Sequence, residues 1–229
     1  MRSTALLIFL VVSVRRATSL TISAPVKRST SSDVADLSET TIVLFSETQK
    51  FAESMKDNAD SLLTTYLSLQ GEPYNNPDFS LRDIQIANLP TATMNYDTFM
   101  RQTDEIRLKN NLYFYSAIIK FLQLTMDEQK DLNPEDPSLN AKFEQVLSNI
   151  NSLINKISTI MTQMDFSVKI EFRSPMVESY IGSAIFKKKL RGYVVCREYK
   201  ERVLLTKRDF EFFAKKYHEQ LVQQQEQEE

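Results

Sequence analysis

The sequence predicts an all-α fold: a long-chain four-helix bundle with up-up-down-down topology and two long crossover loops. Three observations predict it. Four long stretches repeat apolar residues at helical spacing, the connections between them are long, short and long, and the 229 residues include only three glycines. A long connection can cross the bundle and start the next helix at the same end, whereas a short one joins antiparallel neighbours.

The first 19 residues have the features of a secretory signal peptide. Arg2 precedes an apolar run at 5–12, and the small residues Ala17 and Ser19 lie where a cleavage point requires them. The run is shorter than the roughly 20 residues of a membrane-spanning helix. Two arginines directly after the run are unusual near a cleavage point, so an uncleaved anchor is the alternative.

Composition limits the partners and the ways in which the fold can be stabilised. Cleavage after residue 19 would remove three arginines and no acidic residue, and the net charge would fall from -2 to -5. Such a chain is a poor ligand for nucleic acid, and it has no further stretch for membrane insertion. Cys196 is the only cysteine, so no intrachain disulfide can form and packing alone must hold the domain. We expect a soluble, extracellular protein.

The first predicted helix covers residues 35–70 and follows a flexible segment at 20–34. Its apolar or permissive residues recur in steps of three and four. Asp33, with Asp36 behind it, offers a start signal, and Gly71 with Pro73 after it offers a stop. The next two dozen residues contain three prolines and no sustained helical period, so they form the first long connection.

The second and third helices are predicted at 96–125 and from Pro137 to about 164. A polar segment of about a dozen residues separates them, and Pro137 suits the first turn of a helix. After the third helix, apolar residues alternate with polar ones from 166 to 172, which indicates a short extended segment inside the second long connection.

The fourth helix is predicted at about 183–222, completing a domain at 35–222. Cys196, Val203, Phe210 and Tyr217 are spaced seven apart on one face. The tail at 223–229, rich in glutamine and glutamate, is predicted to be disordered.

Three segments are similar to segments of known proteins: TYLSLQGEPYNNPDFS (65–80), LPTATMNYDTFMRQTDEIRLKNNLYFYSAIIKFL (89–122) and FKKKLRGYVVCREYKERVLLTKRDF (186–210). They resemble one branch of the interleukin-6 family, the long-chain cytokines that include ciliary neurotrophic factor and cardiotrophin-like cytokine. They occur in the family's order and span most of the predicted domain. The members of this branch, like this chain, have no cysteine framework. The predicted signal peptide favours one of the branch's secreted members.

The resemblance implies a cytokine that signals by assembling receptor chains and performs no catalysis. The implied partners are type I cytokine receptor chains: the shared interleukin-6 family signal transducer, a leukaemia inhibitory factor receptor type chain and a ciliary neurotrophic factor receptor α type chain. A secretion partner is a further candidate. The implied effects are JAK-STAT signalling with neurotrophic or immune-cell growth and differentiation.

The start of the fourth helix carries the most specific candidate site. Its Phe-x-x-Lys pattern resembles the family's contact with a leukaemia inhibitory factor receptor type chain, which implies Phe186 as an aromatic anchor and Lys189 as a cation, with Lys188 beside them. Lysines at a helix N-terminus oppose the helix dipole, which favours a functional reason for them. The alternative is that Phe186 packs on its own loop and the lysines are merely solvated.

Two further surfaces are implied with less specific patterns. For an α-type receptor the candidates are Lys207, Arg208, Asp209, Phe213, Tyr74 and Phe79. Leu205 and Arg202 replace an arginine and a tryptophan of the relatives, so the α-receptor stays open. For the shared signal transducer the candidates on the first and third helices are Gln49, Glu53, Lys56, Asn151 and Lys156. Ordinary solvated charge is the alternative on both surfaces.

Chemical functions find little support in the sequence. Cys196 lies on an apolar stripe, His218 has no partner at metal-binding spacing, and no glycine-rich phosphate loop is present. We therefore expect no enzyme, metal or cofactor. The alternative function is an extracellular helical carrier of lipid or another apolar ligand, although prolines between the helices and polar outer faces favour a closed bundle.

Overall fold

The computed structural model describes residues 38–76, 78–81, 84–92, 96–169 and 184–228. The predicted signal peptide and the flexible segment at 20–34 lie outside the described residues. The described helices are α1 (Glu39–Leu69), α2 (Tyr96–Arg101), α3 (Asp104–Leu132), α4 (Pro137–Gln163) and α5 (Ile185–Glu228). No strand occurs among the described residues, so the predicted all-α class is confirmed.

Side-chain caps set where the helices begin. The Ser38 hydroxyl accepts a hydrogen bond from the Thr41 backbone N–H at 3.4 Å, so α1 begins at Glu39. Asp136 caps α4 in the same way, with Pro137 as the first helical residue. At the other end of α1, Gly71 has a left-handed φ of 72°, which ends the helix as the sequence predicts.

The second predicted helix differs from the prediction at both ends. Thr103 interrupts it, because its hydroxyl accepts from the Ile106 N–H at 3.3 Å and starts α3 separately from α2. Beyond residue 125 the chain stays helical to Leu132, since Glu128 and Gln129 face inward and find polar partners there. The connection from α3 to α4 is therefore residues 133–136, shorter than the sequence indicates.

Contacts between the helices establish their directions. Phe45 near the start of α1 stacks on Tyr217 near the end of α5 at 4.8 Å between ring centroids, so these helices are antiparallel. In α3, Arg107 pairs with Asp209 at 2.9 Å, again start to end. Pairs between α1 and α4 also run in opposite senses: Ser61 with Lys142 at 2.7 Å and Glu47 with Lys156 at 3.7 Å. Helices α1 and α3 therefore run one way and α4 and α5 the other, which is the predicted up-up-down-down topology.

The core lies between all four long helices, with α1 packed on α4 and α5, and α3 on α4 and α5. The described parts of the first connection lie along α5. The Leu81 N–H donates to the Tyr193 hydroxyl at 3.3 Å, and the Ala92 N–H donates to the Glu198 carboxylate at 2.7 Å. In the second connection residues 166–169 form no strand, and the rest of the predicted alternation lies outside the described residues.

The last helix is longer than the sequence predicts. Helix α5 spans 44 residues and continues through 223–228, where the sequence predicts a disordered tail. The physical reason lies in the composition of this segment: glutamine and glutamate are good helix formers, and no glycine or proline stops the helix.

Candidate functional site

The start of α5 presents two large apolar side chains to solvent. Ile185 and Phe186 are 62% and 61% exposed, and Lys187 beside them is also exposed. The first turn is formed at this point, because the Lys188 N–H donates to the Ala184 carbonyl at 3.0 Å. An apolar pair therefore stands out from an ordered helix end; the preceding loop at 170–183 lies outside the described residues, so its packing on Phe186 stays an open alternative.

The Lys189 side chain is half-buried and contacts α1. Its Nζ donates to the Gln70 carbonyl at the end of α1 at 2.6 Å, and its own carbonyl accepts from the buried Tyr66 hydroxyl at 2.8 Å. Lys188 is half-buried, and its charge acts on the carboxyl of Glu128. Of the lysines in this run, Lys187 is the exposed one.

Two features hold this end of α5 against α1 and α3. Gly192 allows a close approach, since a Cβ built there would lie 2.2 Å from the Tyr66 hydroxyl. Arg191 makes a buried ion pair with Glu128. Burial raises the pKa of the Glu128 carboxyl, and the Arg191 charge and hydrogen bond partly offset that rise.

Three of the residues implied for an α-receptor contact lie in the interior, which corrects the sequence interpretation. Asp209 is 3% exposed and accepts hydrogen bonds from Arg107 at 2.9 Å and Asn111 at 2.8 Å. Phe213 is fully buried and packs on Phe45, and Tyr74 is 2% exposed. Phe213 lies inside because the apolar stripe of α5 continues through it. Asp209 lies inside because it faces α3.

The other implied α-receptor residues lie at or near the surface. Lys207 pairs with Glu53 of α1 at 2.6 Å, and this hydrogen bond raises the pKa of the Lys207 ammonium. Arg208 is exposed. Phe79 is half-buried, with its ring centroid 5.0 Å from that of Tyr193. Phe79 also packs on the buried Tyr74, with 4.8 Å between the ring centroids, whereas Lys207 and Arg208 lie on α5 next to Asp209 in the sequence.

The residues implied on α1 and α4 form a polar outer surface in which some charges are already paired. Lys156 reaches Glu47 across the two helices and lies 6.0 Å from the centroid of the Phe51 ring. Lys56 pairs with Asp57 and Asp60 on its own helix, whereas Glu53 turns toward α5. The remaining candidates are the exposed Asn151 and the half-buried Gln49.

A row of buried polar contacts between α3 and α5, here called the polar ladder, was not predicted from the sequence. Its rungs are the Arg107–Asp209 pair, the Thr206 hydroxyl donating to Asn111 at 2.6 Å, and the Tyr115–Thr206 hydroxyl pair at 2.8 Å. One signal was available, because Arg107, Asn111 and Tyr115 repeat at steps of four next to apolar core residues. The exposed Ile185 was also missed, although it lies outside the seven-residue apolar repeat.

The single cysteine and the single histidine of the chain both lie on α5. Burial raises the pKa of the Cys196 thiol, so the thiolate nucleophile is disfavoured. His218 lies on an exposed face of α5. Within the described ranges no group of three or more metal-ligating side chains comes together, and no helix there is long and apolar enough to cross a membrane.

Four long helices in up-up-down-down order form the architecture of the long-chain helical cytokines, and the start of the last helix exposes an aromatic residue. Comparison with known proteins agrees. The family described as Plethodontid receptivity factor PRF matches residues 2–221. Cardiotrophin-2 of Mus musculus is 32% identical over 163 residues, covering 71% of this chain and 79% of the relative.

Two further relatives extend the comparison. Cardiotrophin-2 of Pan troglodytes is 32% identical over 172 residues, covering 75% of this chain and 84% of the relative. Cardiotrophin-1 of Rattus norvegicus is 25% identical over 168 residues, covering 71% and 81%. The chain belongs to the plethodontid receptivity factor family and is a cardiotrophin-like cytokine of the interleukin-6 family.

Proposed function

We propose that the chain is a secreted, non-enzymatic cytokine that assembles cell-surface receptor chains of the interleukin-6 family and thereby activates JAK-STAT signalling. The observation that carries the proposal is the exposed Ile185–Phe186 pair on an ordered helix end. A rigid bundle holds such a contact in a fixed orientation, so little ordering is left to oppose binding.

The exposed aromatic ring supports a receptor contact by its energetics. An aromatic anchor that becomes fully desolvated in the centre of an interface typically contributes about 2 kcal/mol or more, which corresponds to roughly a 30-fold change in affinity. A leukaemia inhibitory factor receptor type chain is the proposed partner at Phe186. Neurotrophic or immune-cell growth and differentiation effects would follow from the receptor assembly.

The other surfaces supply the remaining proposed partners. The outer faces of α1 and α4 would meet the shared signal transducer through Gln49, Lys56, Asn151 and Lys156. An α-type receptor of the ciliary neurotrophic factor kind would meet Lys207, Arg208 and Phe79. The buried Asp209, Phe213 and Tyr74 would support that surface from beneath.

The family description adds a biological outcome. It names a receptivity factor, and we extend that role to this chain, with receptor assembly as the molecular step. Release from the cell would follow cleavage of the leader at 1–19.

The test is a STAT reporter assay in cells that express defined sets of interleukin-6 family receptor chains. We expect wild type to signal with at least one set, and Phe186→Ala to need roughly 30-fold more protein. Leu204→Ala is the matched control, since it removes a 37% exposed apolar side chain from the same helix at a distance from its start.

The outcomes separate the two parts of the proposal. Silence of wild type with every receptor set would overturn the cytokine function. Full activity of Phe186→Ala would overturn only the contact at the start of α5. Circular dichroism with and without lipid vesicles addresses the carrier alternative. A closed bundle predicts unchanged spectra, because the apolar residues of the four long helices already pack in one core.

A further inference from the structure

We propose that the peptide bond between Arg28 and Ser29 is a processing site for an endoprotease of the secretory pathway that cleaves after paired basic residues. The inference rests on the proposed secretion of the chain. It adds a second cleavage, which would remove residues 20–28 after the predicted cleavage at residue 19. Lys27 and Arg28 lie outside the described residues, so the statements about them come from the sequence alone.

The residues around this bond suit a protease cleft with acidic subsites. Lys27 and Arg28 place two adjacent cations on one side of the bond, and no acidic residue occurs in the first 32 residues of the chain. Carboxylates in such a cleft pair with the ammonium and the guanidinium, and they attract a positively charged segment. Ser29, on the other side of the bond, is small and uncharged. The segment therefore matches a cleft that recognises two neighbouring cations.

The sequence at 25–32 does not favour a helix, which a protease would have to unfold. Pro25 has no backbone N–H, and the four residues at 29–32 all carry a hydroxyl group. Serine and threonine are weak helix formers. Proteolysis concentrates in segments of small polar residues near chain termini. The sequence therefore predicts a segment that can enter a cleft in an extended conformation.

The other paired basic residues are less suitable substrates. One pair, at 15–16, precedes residue 19 and leaves with the leader. The remaining pairs, at 187–189, 207–208 and 215–216, all lie in α5. Lys207 pairs with Glu53 at 2.6 Å, and Lys216 pairs with Asp104 at 2.5 Å. A protease can cut at these pairs only after α5 has opened locally, so the fold leaves Arg28 as the preferred site.

The helical domain begins well after the proposed bond. The Ser38 hydroxyl caps α1 by accepting from the Thr41 N–H at 3.4 Å, and Glu39 is the first helical residue. Residues 29–37 separate the bond from this cap. At about 3.3 Å per extended residue, they can span up to roughly 30 Å. Cleavage at Arg28 would therefore leave the cap and the core intact.

The second cleavage would release the domain whether or not the leader itself is cleaved. Water adds to the Arg28 carbonyl carbon and the bond to Ser29 breaks, which leaves a carboxylate on Arg28 and an ammonium group on Ser29. An uncleaved leader would be separated from the domain by this step as well. Residues 1–28 contain five basic residues and no acidic one, so the formal net charge would change from -2 to -2 - 5 = -7.

N-terminal sequencing and intact mass of the secreted protein test the site. The full chain is expressed in secretory cells that contain endoproteases for paired basic residues, beside Arg28→Ala and the matched control Lys215→Ala, which removes one cation from a pair in α5. We expect wild type and control to begin at Ser29. We expect the amount that begins at Ser29 to fall at least about 30-fold in Arg28→Ala, because one partner of a desolvated charge pair is lost. Wild type that begins before Ser29, or Arg28→Ala that still begins there, would overturn the proposal.

Digestion of the purified full chain separates the processing site from secretion. The probe is a purified subtilisin-type endoprotease specific for paired basic residues. We expect the cut after Arg28 to be at least about 100-fold faster than any cut in α5, because that helix must open first. Equal rates at Arg28 and at 207–208, or an intact bond after Arg28, would overturn the proposal. If no variant reached the medium, the proposed secretion would fail, and this digestion would still decide the processing site.

Discussion

Replacing Gly192 by alanine tests how closely α5 approaches α1. A methyl group at this position would lie 2.2 Å from the Tyr66 hydroxyl oxygen, 2.6 Å from its Cζ and 2.8 Å from Cγ2 of Thr125. Tyr66 is fully buried and its hydroxyl is bonded to the Lys189 carbonyl, so the ring has little room to withdraw. The methyl group must therefore displace either the ring or the helix.

The expected size of the effect comes from two opposing contributions. Alanine in place of glycine stabilises a helix interior by about 1 kcal/mol. Overpacking a tight core costs roughly 1–3 kcal/mol, and loss of the Tyr66–Lys189 hydrogen bond costs about 1 kcal/mol more. We expect Gly192→Ala to lower the free energy of unfolding by about 1–3 kcal/mol.

Urea unfolding followed by circular dichroism measures the change, with the slope compared between variants. Tyr66→Phe combined with Gly192→Ala should cost less than the sum of the two single changes, because the nearest clashing atom is then absent. A Gly192→Ala protein about 1 kcal/mol more stable than wild type, as helix propensity alone requires, would refute the reasoning.

Three further predictions concern buried polar groups. Asp209→Ala should destabilise by roughly 3–5 kcal/mol because Arg107 and Asn111 lose their acceptor, and Arg107→Leu with Asp209→Leu should recover much of that loss in urea unfolding. Burial raises the pKa of the Asp209 carboxyl, so its contribution is full below about pH 4 and falls as the pH rises through the raised value. As the pH rises from about 4 through the raised pKa, wild type should lose stability relative to Asp209→Asn, and an opposite trend would contradict the direction of the pKa shift. Alkylation of Cys196 in the native protein should be on the order of 1,000-fold slower than of a free thiol, and a rate near that of free cysteine would show that the site opens locally.

Helical periodicity was enough to predict the four long helices, and the long, short and long connections predicted their directions. The third helix was placed almost to the residue, since its four-three alternation is strict and Pro137 marks its start. The predicted helix boundaries were wrong where polar residues face inward. Glu128 and Gln129 read as a loop because the partners that allow their burial, Arg191 and Gln70, lie far away in sequence.

The same limitation explains the candidate surfaces. Phe186 is exposed on the helix end where the resemblance placed it, but its role as a receptor contact stays a prediction. Asp209 was taken for a surface charge, since a charged residue is rarely buried unless it is paired. Its partner Arg107 is on another helix, and no local pattern connects the two. The inward position of Lys189 could have been found by extending the seven-residue repeat backward from Cys196.

Buried ion pairs between α3 and α5 fix the position of α5 along its own axis. Apolar side chains tolerate a small slide of one helix along another, whereas Arg107–Asp209 at one end and Glu128–Arg191 at the other would both be broken by it. The two pairs therefore fix α5 lengthwise. At 1.5 Å per residue, Phe186 and Lys207 stay about 30 Å apart along the helix axis. Two receptor chains bound at these positions would be held at a separation set by α5 itself, and the two ion pairs would fix the height of both positions relative to α3.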